Sequence, residues 1–273
     1  MKLSIIIPTF QRPSLLKQCL DSVSSQIDSN VRVVVVDQSF NDDTRMVCNQ
    51  YSLVEYLHVD YQNKSKAVNE GIAYTTEEVI STIDDDTILN NNWVSIIFQT
   101  FRDPKIDIVQ GSICVTDNSS LDSVANNQDI IIQRRIIGRS NIPPLFKIGC
   151  NFAFRRQVFQ RVGLFNESFG PGSTYKAGMD LEWGYRVFKN GYKLLLNPEL
   201  GLSHISWRKR EDLRKQTIDY GNAFGKFLKN IRKENYIDFC AYYFRYLMVG
   251  HLMSCQNDSR RIWYESALKS YSE

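Results

Sequence analysis

The sequence lacks the short motifs that mark several common enzyme classes. It contains no GxGxxG dinucleotide fingerprint, no GxxxxGK[ST] phosphate-binding loop and no GxSxG nucleophile turn. Their absence argues against a dinucleotide-dependent dehydrogenase, a P-loop nucleoside triphosphatase and a hydrolase with a serine nucleophile. The function must therefore be inferred from other groups of residues.

Long apolar runs and paired cysteines are missing as well. No stretch of about 18 uncharged apolar residues occurs, so no transmembrane helix is predicted. The six cysteines include no CxxC pair, and no histidine stands at zinc-ligand spacing, which favours buried thiols in a reducing cytosol. The apolar run at residues 3–7 is too short for a signal peptide, and Pro8 ends it, so we predict a strand there.

The composition is otherwise that of an ordinary globular protein, with 43% hydrophobic and 23% charged residues among 273. This length suffices for one large domain or two small ones. The net charge of +3 indicates no partner by itself, and we predict no nucleic-acid binding.

Apolar strands and helical segments alternate along the first half of the chain. We predict strands at 3–7, 31–36, 54–59, 79–83 and 107–115, and helices at 14–25, 42–51, 65–74 and 92–101. This alternation predicts an α/β fold with a mostly parallel, Rossmann-like sheet that helices cover on both faces. In the second half we predict a helix at 180–189 and a strand at 192–196.

Polar residues follow three of these strands at the point where each strand ends. They are residues 9–12 after the first strand, Asp37 after the second, and the block Asp84-Asp85-Asp86 after the fourth. Because ligands bind at the carboxyl ends of parallel strands, we predict that these groups lie on one rim of the sheet.

The acidic block is unusual because neighbouring carboxylates repel each other and are costly to bury. Asp84 and Asp86 could hold Mg²⁺ or Mn²⁺ together with a ligand's phosphate, since these cations prefer oxygen ligands. The alternative is a solvated acidic turn that caps the next helix. The place of the block at a strand end favours the cation site.

Further candidates have a functional and a structural interpretation each. Asp37 could hydrogen-bond a nucleobase or ribose, or it could begin a turn. Asp180 or Glu182, at a helix start after a glycine-rich loop, could act as a general base or complement the helix dipole. His204 could be a metal ligand or a structural histidine.

Together, these segments resemble the family 2 glycosyltransferases, which have the GT-A fold. The resemblance covers residues 3–206 and is carried by the order and spacing of SIIIPTFQRPSLLKQCLDSV, VVVVDQSFNDDT, NKSKAVNEGI, ISTIDDDTILNNNW, GCNFAFRRQVFQRVGLFNESFG, GMDLEWGYRVFKNGY and LSHIS. It implies a GT-A catalytic domain at 1–207, with a nucleotide-sugar-binding half at 1–115 and an acceptor half at 116–207. Residues 208–273 would form a C-terminal helical extension.

For the substrates, the resemblance implies a nucleoside-diphosphate sugar as donor, with uridine as the expected nucleoside. Pro8, Thr9 and Phe10 would flank the nucleotide, with Arg12 nearby, and Asp37 would read the base. The acceptor is expected to be a saccharide or a lipid-linked saccharide.

For the reaction, the resemblance implies sugar transfer with inversion and a divalent cation, Mn²⁺ or Mg²⁺. The acidic block corresponds to the family's DxD motif, in which Asp84 and Asp85 lie near the ribose and diphosphate and Asp86 binds the metal. Asp180 matches the catalytic base, and His204 matches a histidine that in many members approaches the metal or the diphosphate.

Two departures from the family pattern affect these assignments. Met179 occupies the place of the Glu in the family's Glu-Asp pair, which leaves Glu182 as an alternative base. Where the family often has Arg-Asn, this chain has Val-Asn at 68–69. A basic contact to the nucleotide must then come from Lys64 or Lys66, and we assign it to Lys66.

The C-terminal extension is basic at first, with nine Lys or Arg and three acids in residues 208–233, and then aromatic and amphipathic. Residues 208–253 would suit docking on an anionic membrane surface, where a lipid-linked acceptor would lie. The alternative is a helical cap on the catalytic domain, or a dimer contact.

Two other functions stay open from the sequence. A GT-A-like nucleotidyltransferase would usually carry a glycine-rich, basic loop after the first strand, which PTFQRPS lacks. A nucleotide-sugar-binding protein without transferase activity is favoured by Met179 alone.

Overall fold

The computed structural model describes residues 1–117, 132–137, 149–208, 210–244 and 258–273. Their strands form one sheet and are β1 (Leu3–Thr9), β2 (Val31–Asp37), β3 (Val54–His58), β4 (Val79–Thr82), β5 (Thr87–Leu89), β6 (Ile108–Asp117), β7 (Arg135–Ile137), β8 (Phe152–Arg155) and β9 (Leu194–Ser206). Their α-helices are α1 (Pro13–Ser24), α2 (Asp43–Cys48), α3 (Lys64–Tyr74), α4 (Trp93–Thr100), α5 (Arg156–Val162), α6 (Met179–Lys189), α7 (Arg210–Glu234), α8 (Tyr236–Tyr242) and α9 (Asp258–Ser272). The order across the sheet is β3-β2-β1-β4-β8-β6-β9-β5, and β7 pairs with β9.

Of the four parallel strands, β1, β2 and β4 are almost entirely buried, whereas β3 at the edge of the sheet is half-buried. β1 lies between β2 and β4, and every residue of β1 is buried. Successive side chains pack on opposite faces, with Ile5 and Ile7 against Leu16 of α1, and Ile6 against Ile72 of α3. Burial on both faces explains the unbroken apolar pattern of these strands and confirms the predicted α/β fold.

The remaining half of the sheet is mixed. β8 runs antiparallel to β4 and β6, β9 runs parallel to β6, and β5 and β7 run antiparallel to β9. The strand predicted at 192–196 overlaps the start of the longer β9, which begins at Leu194 and continues through the polar Asn197 to Ser206. The sequence pattern misses this continuation because the register between β6 and β9 shifts there, from Asn197 to Gly201.

The C-terminal helices pack on α6 and on each other. α7 and α9 approach closely because a glycine of α7 lies at their contact: a Cβ on Gly225 would stand 2.2 Å from the carbonyl oxygen of Ala267. A third apolar cluster joins Phe227 of α7 to Tyr185 of α6, with ring centroids 5.6 Å apart. In the described residues, the extension therefore has the packing of a helical cap, one of the alternatives that the sequence left open.

No helix in the described part of the chain is both long and apolar enough to cross a membrane. Most of the acceptor-half segment 118–148, and residues 245–253 of the stretch considered for membrane docking, lie outside the described residues. The roles predicted for them stay predictions.

Candidate active site

The structure brings together the polar residues that follow β1 and β4. The Thr9 hydroxyl donates to Oδ2 of Asp85 over 2.6 Å. The Arg12 guanidinium contacts Oδ1 of Asp85 at 2.7 Å and Oδ2 of Asp86 at 3.1 Å. These residues meet because β1 and β4 are parallel neighbours whose carboxyl ends lie at the same edge of the sheet.

The acidic block is buried. Asp85 and Asp86 are 0% and 2% exposed. The partly exposed carboxylate of Asp84 pairs with the Lys64 ammonium at 2.6 Å. This burial excludes the solvated acidic turn that the sequence left open. Among the described residues, three carboxylates here contact the cations of Arg12 and Lys64, so a further positive charge would be favourable.

Burial and neighbouring charges set the protonation of the block. Burial raises the pKa of Asp85 to about 7, although the Arg12 guanidinium acts in the opposite direction. Burial acts to raise the pKa of Asp84 too, but the hydrogen-bonded Lys64 ammonium outweighs it, and that pKa lies below its usual value. Asp84 is therefore ionised at neutral pH.

His204 reaches the block because β9 pairs with β5. Thr87 of β5 stands opposite His204, and the Ile205 amide donates to the Asp86 carbonyl oxygen over 2.8 Å. This register places Nε2 of His204 at 3.3 Å from Oδ1 of Asp86. Two residues far apart in sequence, both predicted as metal ligands, are thus brought together.

Three buried atoms at this point have no hydrogen-bond partner among the described residues: Oδ1 of Asp85, which the Arg12 guanidinium contacts as an ion pair, Oδ1 of Asp86 and Nδ1 of His204. Oδ2 of Asp86 in contrast accepts hydrogen bonds from Arg12 and from the Trp207 indole N–H, the latter at 2.7 Å. Buried polar atoms normally find a partner. A carboxylate oxygen and an imidazole without one fit the divalent cation that the resemblance implies.

A second group of ligand atoms lies beside the first. One ligand atom each of Asp84, Cys150 and His204 lies within 4.8 Å of the others. Burial raises the pKa of the Cys150 thiol well above its usual value, and the negative charges of Asp84 and Asp86 add to this effect. Sequence reasoning missed Cys150 because it has no partner at a metal-ligand spacing.

Asp180 lies in the first turn of α6. This helix begins directly after Gly178, whose φ of 78° lies in the left-handed region. Burial raises the pKa of Asp180 to about 6, while its backbone hydrogen bonds and Lys64 act in the opposite direction. A carboxyl group with such a pKa is suited to general-base catalysis near neutral pH. Glu182 is instead held by Arg186 in a bidentate pair at 2.8 and 2.9 Å, so the geometry favours Asp180 as the base.

Asp37 ends β2 and is 0% exposed. Its Oδ1 accepts from the Ser39 amide and its Oδ2 from the Tyr56 hydroxyl, each at 2.9 Å. Asp37 therefore begins a turn, as its structural interpretation required. A carboxylate has about four acceptor positions, so it can still accept from a base. Pro8 is buried within the neighbouring β1.

The other predicted nucleotide contacts differ in their surroundings. Phe10 is half-buried after β1 and meets the exposed ring of Phe40 edge-on, with centroids 5.6 Å apart. Lys66 lies over the Tyr61 ring, 3.8 Å from its centroid. Of the two candidate lysines, Lys64 is the one that the structure places against the acidic block.

Sequence reasoning also missed two aromatic residues of the C-terminal side. Two guanidinium groups lie over the Trp207 ring, those of Arg12 and Arg208 at 4.9 and 4.7 Å from its centroid. Tyr220 of α7 is 50% exposed, and burial of its hydroxyl and then the charge of Asp180 raise its pKa. Trp207 directly follows the LSHIS segment and could have been noticed, whereas the place of Tyr220 depends on how α7 packs.

The sequence matches the family described as Glycosyl transferase family 2 over residues 4–163. The glycosyltransferase AglE of Haloferax volcanii is 26% identical over 226 residues, which cover 78% of this chain and 70% of AglE. The O-antigen chain rhamnosyltransferase RfbN of Salmonella typhimurium is 25% identical, covering 86% of this chain and 80% of RfbN. With the glycosyltransferase GlyG of Streptococcus pneumoniae, 24% identical, the match covers 43% of this chain and 40% of GlyG.

Solved glycosyltransferase structures have a similar fold. The mannosyltransferase PcManGT from Pyrobaculum calidifontis, in complex with GDP-Man and Mn²⁺, has a TM-score of 0.66 at 18% identity, over 98% of this chain and 73% of PcManGT. S. aureus TarS 1–349 in complex with UDP-GlcNAc has a TM-score of 0.63 at 13% identity, over 99% and 89% of the two chains. At these identities the likeness shows the fold, and it confirms the predicted GT-A architecture.

Proposed function

The chain belongs to glycosyl transferase family 2, and we propose that it transfers a sugar, with inversion, from a nucleoside-diphosphate donor to an acceptor hydroxyl. The family resemblance recognised in the sequence is confirmed, and the specific reaction is the proposal. The buried acidic block supports it most, because Oδ1 of Asp86 and Nδ1 of His204 have no hydrogen-bond partner among the described residues. A cation and a diphosphate would satisfy such a site at strand carboxyl ends.

We propose a uridine diphosphate sugar as the donor. The neighbour TarS binds UDP-GlcNAc and the neighbour PcManGT binds GDP-Man, so the fold accommodates more than one base. In this chain, Asp37 would accept a hydrogen bond from the base, and the Phe10–Phe40 pair offers an aromatic edge on which a planar base can pack. Uracil has the N–H donor that such an acceptor requires.

The diphosphate would lie against the acidic block and its two cations. Asp84 and Asp85 would contact the ribose and diphosphate, while Asp86 and His204 would hold Mn²⁺ or Mg²⁺. When bound, the cation supplies Lewis-acid stabilisation of the charge that develops on the leaving diphosphate. Arg12 and Lys64 add fixed positive charge at the same place, which favours that developing charge further.

Asp180 would act as the general base. It takes the proton from the acceptor hydroxyl as that oxygen attacks the anomeric carbon, and the bond from this carbon to the diphosphate breaks. Attack opposite the leaving group inverts the configuration. A pKa of about 6 leaves Asp180 ionised at neutral pH while keeping it basic enough to accept the proton. Burial of its hydroxyl and then the charge of this carboxylate raise the pKa of the half-exposed Tyr220 on α7, so the acceptor would enter between α6 and α7.

We propose a saccharide or lipid-linked saccharide as the acceptor, in line with the relative RfbN, an O-antigen chain rhamnosyltransferase. α8 and the two residues after it carry apolar side chains that would face a lipid surface: Ile237 and Phe244 are 81% and 70% exposed and stand two helical turns apart.

Sedimentation with anionic and with neutral liposomes tests docking of these side chains on a membrane. Anionic-selective binding that weakens in Ile237→Ser/Phe244→Ser, but not in the control Leu53→Ser, supports docking; no sedimentation with either excludes it.

The transfer reaction is tested by incubating the purified chain with a panel of UDP-sugars and Mn²⁺ and measuring UDP release. Release that saccharide acceptors stimulate, and that Asp180→Asn loses, supports the proposal. Nucleotide binding without transfer or hydrolysis across the panel would instead indicate a nucleotide-sugar-binding protein, the alternative that Met179 favours.

A further inference from the structure

Cys150 is a thiol that the proposed reaction does not use, yet it lies at the acidic block. Its sulfur is within 4.8 Å of a ligand atom of Asp84 and of His204. The three residues come from different parts of the chain: the turn after β4, the segment that leads into β8, and β9. They meet because β4 and β8 are neighbours in the sheet and β9 is two strands away from β8.

The backbone at Cys150 is held in place by the next residue. Asn151 is 0% exposed, and its amide group donates to the carbonyls of Ser112 and Leu200 at 2.8 Å each. Its side-chain oxygen accepts from the Trp93 indole N–H, also at 2.8 Å. With every side-chain hydrogen-bonding atom of Asn151 engaged, the backbone that carries the neighbouring thiol is held in place.

The imidazole of His204 gives a further sign of a ligand at this place. The residue is 8% exposed, and its buried Nδ1 has no hydrogen-bond partner within the described ranges. A metal-binding imidazole coordinates through a neutral ring nitrogen. A cysteine and a carboxylate with a ligand atom within 4.8 Å of this imidazole complete a mixed sulfur, nitrogen and oxygen set.

We propose that Asp84, Cys150 and His204 form a binding site for a borderline, thiophilic divalent cation such as Co²⁺ or Zn²⁺. Thiolate and imidazole ligands favour these ions, whereas Mg²⁺ favours oxygen ligands. On binding, the thiol gives its proton to the solvent and the sulfur coordinates the ion, so that one thiolate and one carboxylate balance its two positive charges. The affinity order is Zn²⁺ above Co²⁺ above Mn²⁺ above Mg²⁺, with Cys150 responsible for the preference.

This site shares His204 and Asp84 with the proposed donor site. A consequence, which rests on the proposed function, is that Zn²⁺ competes with Mn²⁺ and slows sugar transfer, and that Cys150→Ser relieves this inhibition. The cation site itself does not rest on that function, because its occupancy can be measured without any donor.

The test is a Co²⁺ titration of the full chain without nucleotide, followed by absorption spectroscopy. A near-ultraviolet thiolate-to-cobalt charge-transfer band is expected in the wild type and not in Cys150→Ser. Losing this ligand should weaken Co²⁺ binding by at least the roughly tenfold that losing an outer-sphere partner costs. Zn²⁺ should abolish the band, and excess Mg²⁺ should leave it.

Two control variants separate Cys150 from the other thiols. Cys240→Ser removes an exposed cysteine and Cys48→Ser a buried one, and both should keep the band. Cys150→Ala repeats the test with a different side chain, and circular dichroism shows whether each variant is folded. A band that persists in folded Cys150→Ser, or Co²⁺ binding without any band in the wild type, overturns the inference. Neither outcome touches the proposed transferase, whose failure would appear as absent UDP release from the panel of UDP-sugars.

Discussion

The Trp207 indole N–H donates a hydrogen bond to Oδ2 of Asp86 over 2.7 Å. Trp207 directly follows β9, and Asp86 lies in the turn between β4 and β5, so this bond connects the end of β9 to the acidic block. Trp207 and Arg12 both donate hydrogen bonds to Oδ2 of Asp86. The other oxygen, Oδ1, therefore lies toward Nε2 of His204. The orientation of the proposed metal ligand thus depends on a residue outside the acidic motif.

Trp207→Phe removes this hydrogen bond and keeps an aromatic ring between Arg12 and Arg208. A hydrogen bond to a charged group is worth about 1.5–3 kcal/mol, so the affinity for UDP in the presence of Mn²⁺ should fall by about tenfold or more. Calorimetry measures this affinity. Trp263→Phe, on the distant α9, is the matched control and should bind UDP like the wild type. Unchanged affinity in Trp207→Phe would mean that the bond does not orient Asp86.

Asp180→Asn and Glu182→Gln distinguish the two candidate bases. General-base catalysis contributes about 10²–10⁴-fold, so Asp180→Asn should lose turnover by that factor while UDP binding is retained. Glu182→Gln should keep most of its turnover, because Glu182 is engaged with Arg186, and should lose at most about 1 kcal/mol of stability. Steady-state kinetics with donor and acceptor decide between them. The reverse pattern would make Glu182 the base.

The pH profile follows from the pKa of about 6 at Asp180. The base must be ionised, so kcat/KM should fall about tenfold per pH unit as the pH drops below 6. The contribution of Asp180 to stability depends on pH in the opposite direction. Since folding raises this pKa, Asp180 contributes stability below about pH 4 that is lost as the pH rises through 6. The midpoint of thermal unfolding of Asp180→Asn should therefore lie above that of the wild type at pH 8 and equal it at pH 4. A higher wild-type midpoint at pH 8 would refute the raised pKa.

Gly225→Ala tests the close packing of α7 on α9. Alanine is favoured over glycine in a helix by about 1 kcal/mol. A Cβ here would meet the Ala267 carbonyl oxygen at 2.2 Å, and overpacking of this kind costs about 1–3 kcal/mol or more. We expect the clash to dominate and the free energy of unfolding in urea to fall by about 2 kcal/mol. Lys215→Ala, exposed on the same helix, should be neutral. A Gly225→Ala variant more stable than the wild type would show that the helices are not in contact there.

The sequence predicted the parts of the fold and site that depend on local pattern. The first two strands and the acidic block after β4 follow from apolar runs and from the rule that ligands bind at strand carboxyl ends. The predicted end of the first strand at Pro8 was wrong, because β1 continues through this proline to Thr9. The length of β9 could not be read because Asn197-Pro198 interrupts its apolar pattern at a register shift.

Contacts between distant segments account for what the sequence did not predict. Nothing in the sequence distinguishes Lys64 from Lys66 as the basic contact. In the structure, both lie at the start of α3, where Lys64 pairs with Asp84 and Lys66 lies over the Tyr61 ring. Cys150 reaches the block only because β8 lies beside β4 in the sheet, which no spacing in the sequence reveals.

Calorimetric titration of UDP, with and without Mn²⁺, into the wild type and Asp86→Ala tests the central claim most directly. We expect UDP to bind the wild type with Mn²⁺ and to bind at least tenfold more weakly without it. Asp86→Ala should behave with Mn²⁺ as the wild type does without it, whereas Asp60→Ala, an exposed acid, should match the wild type. UDP affinity that depends on neither Mn²⁺ nor Asp86 would contradict a cation-dependent donor site at the acidic block.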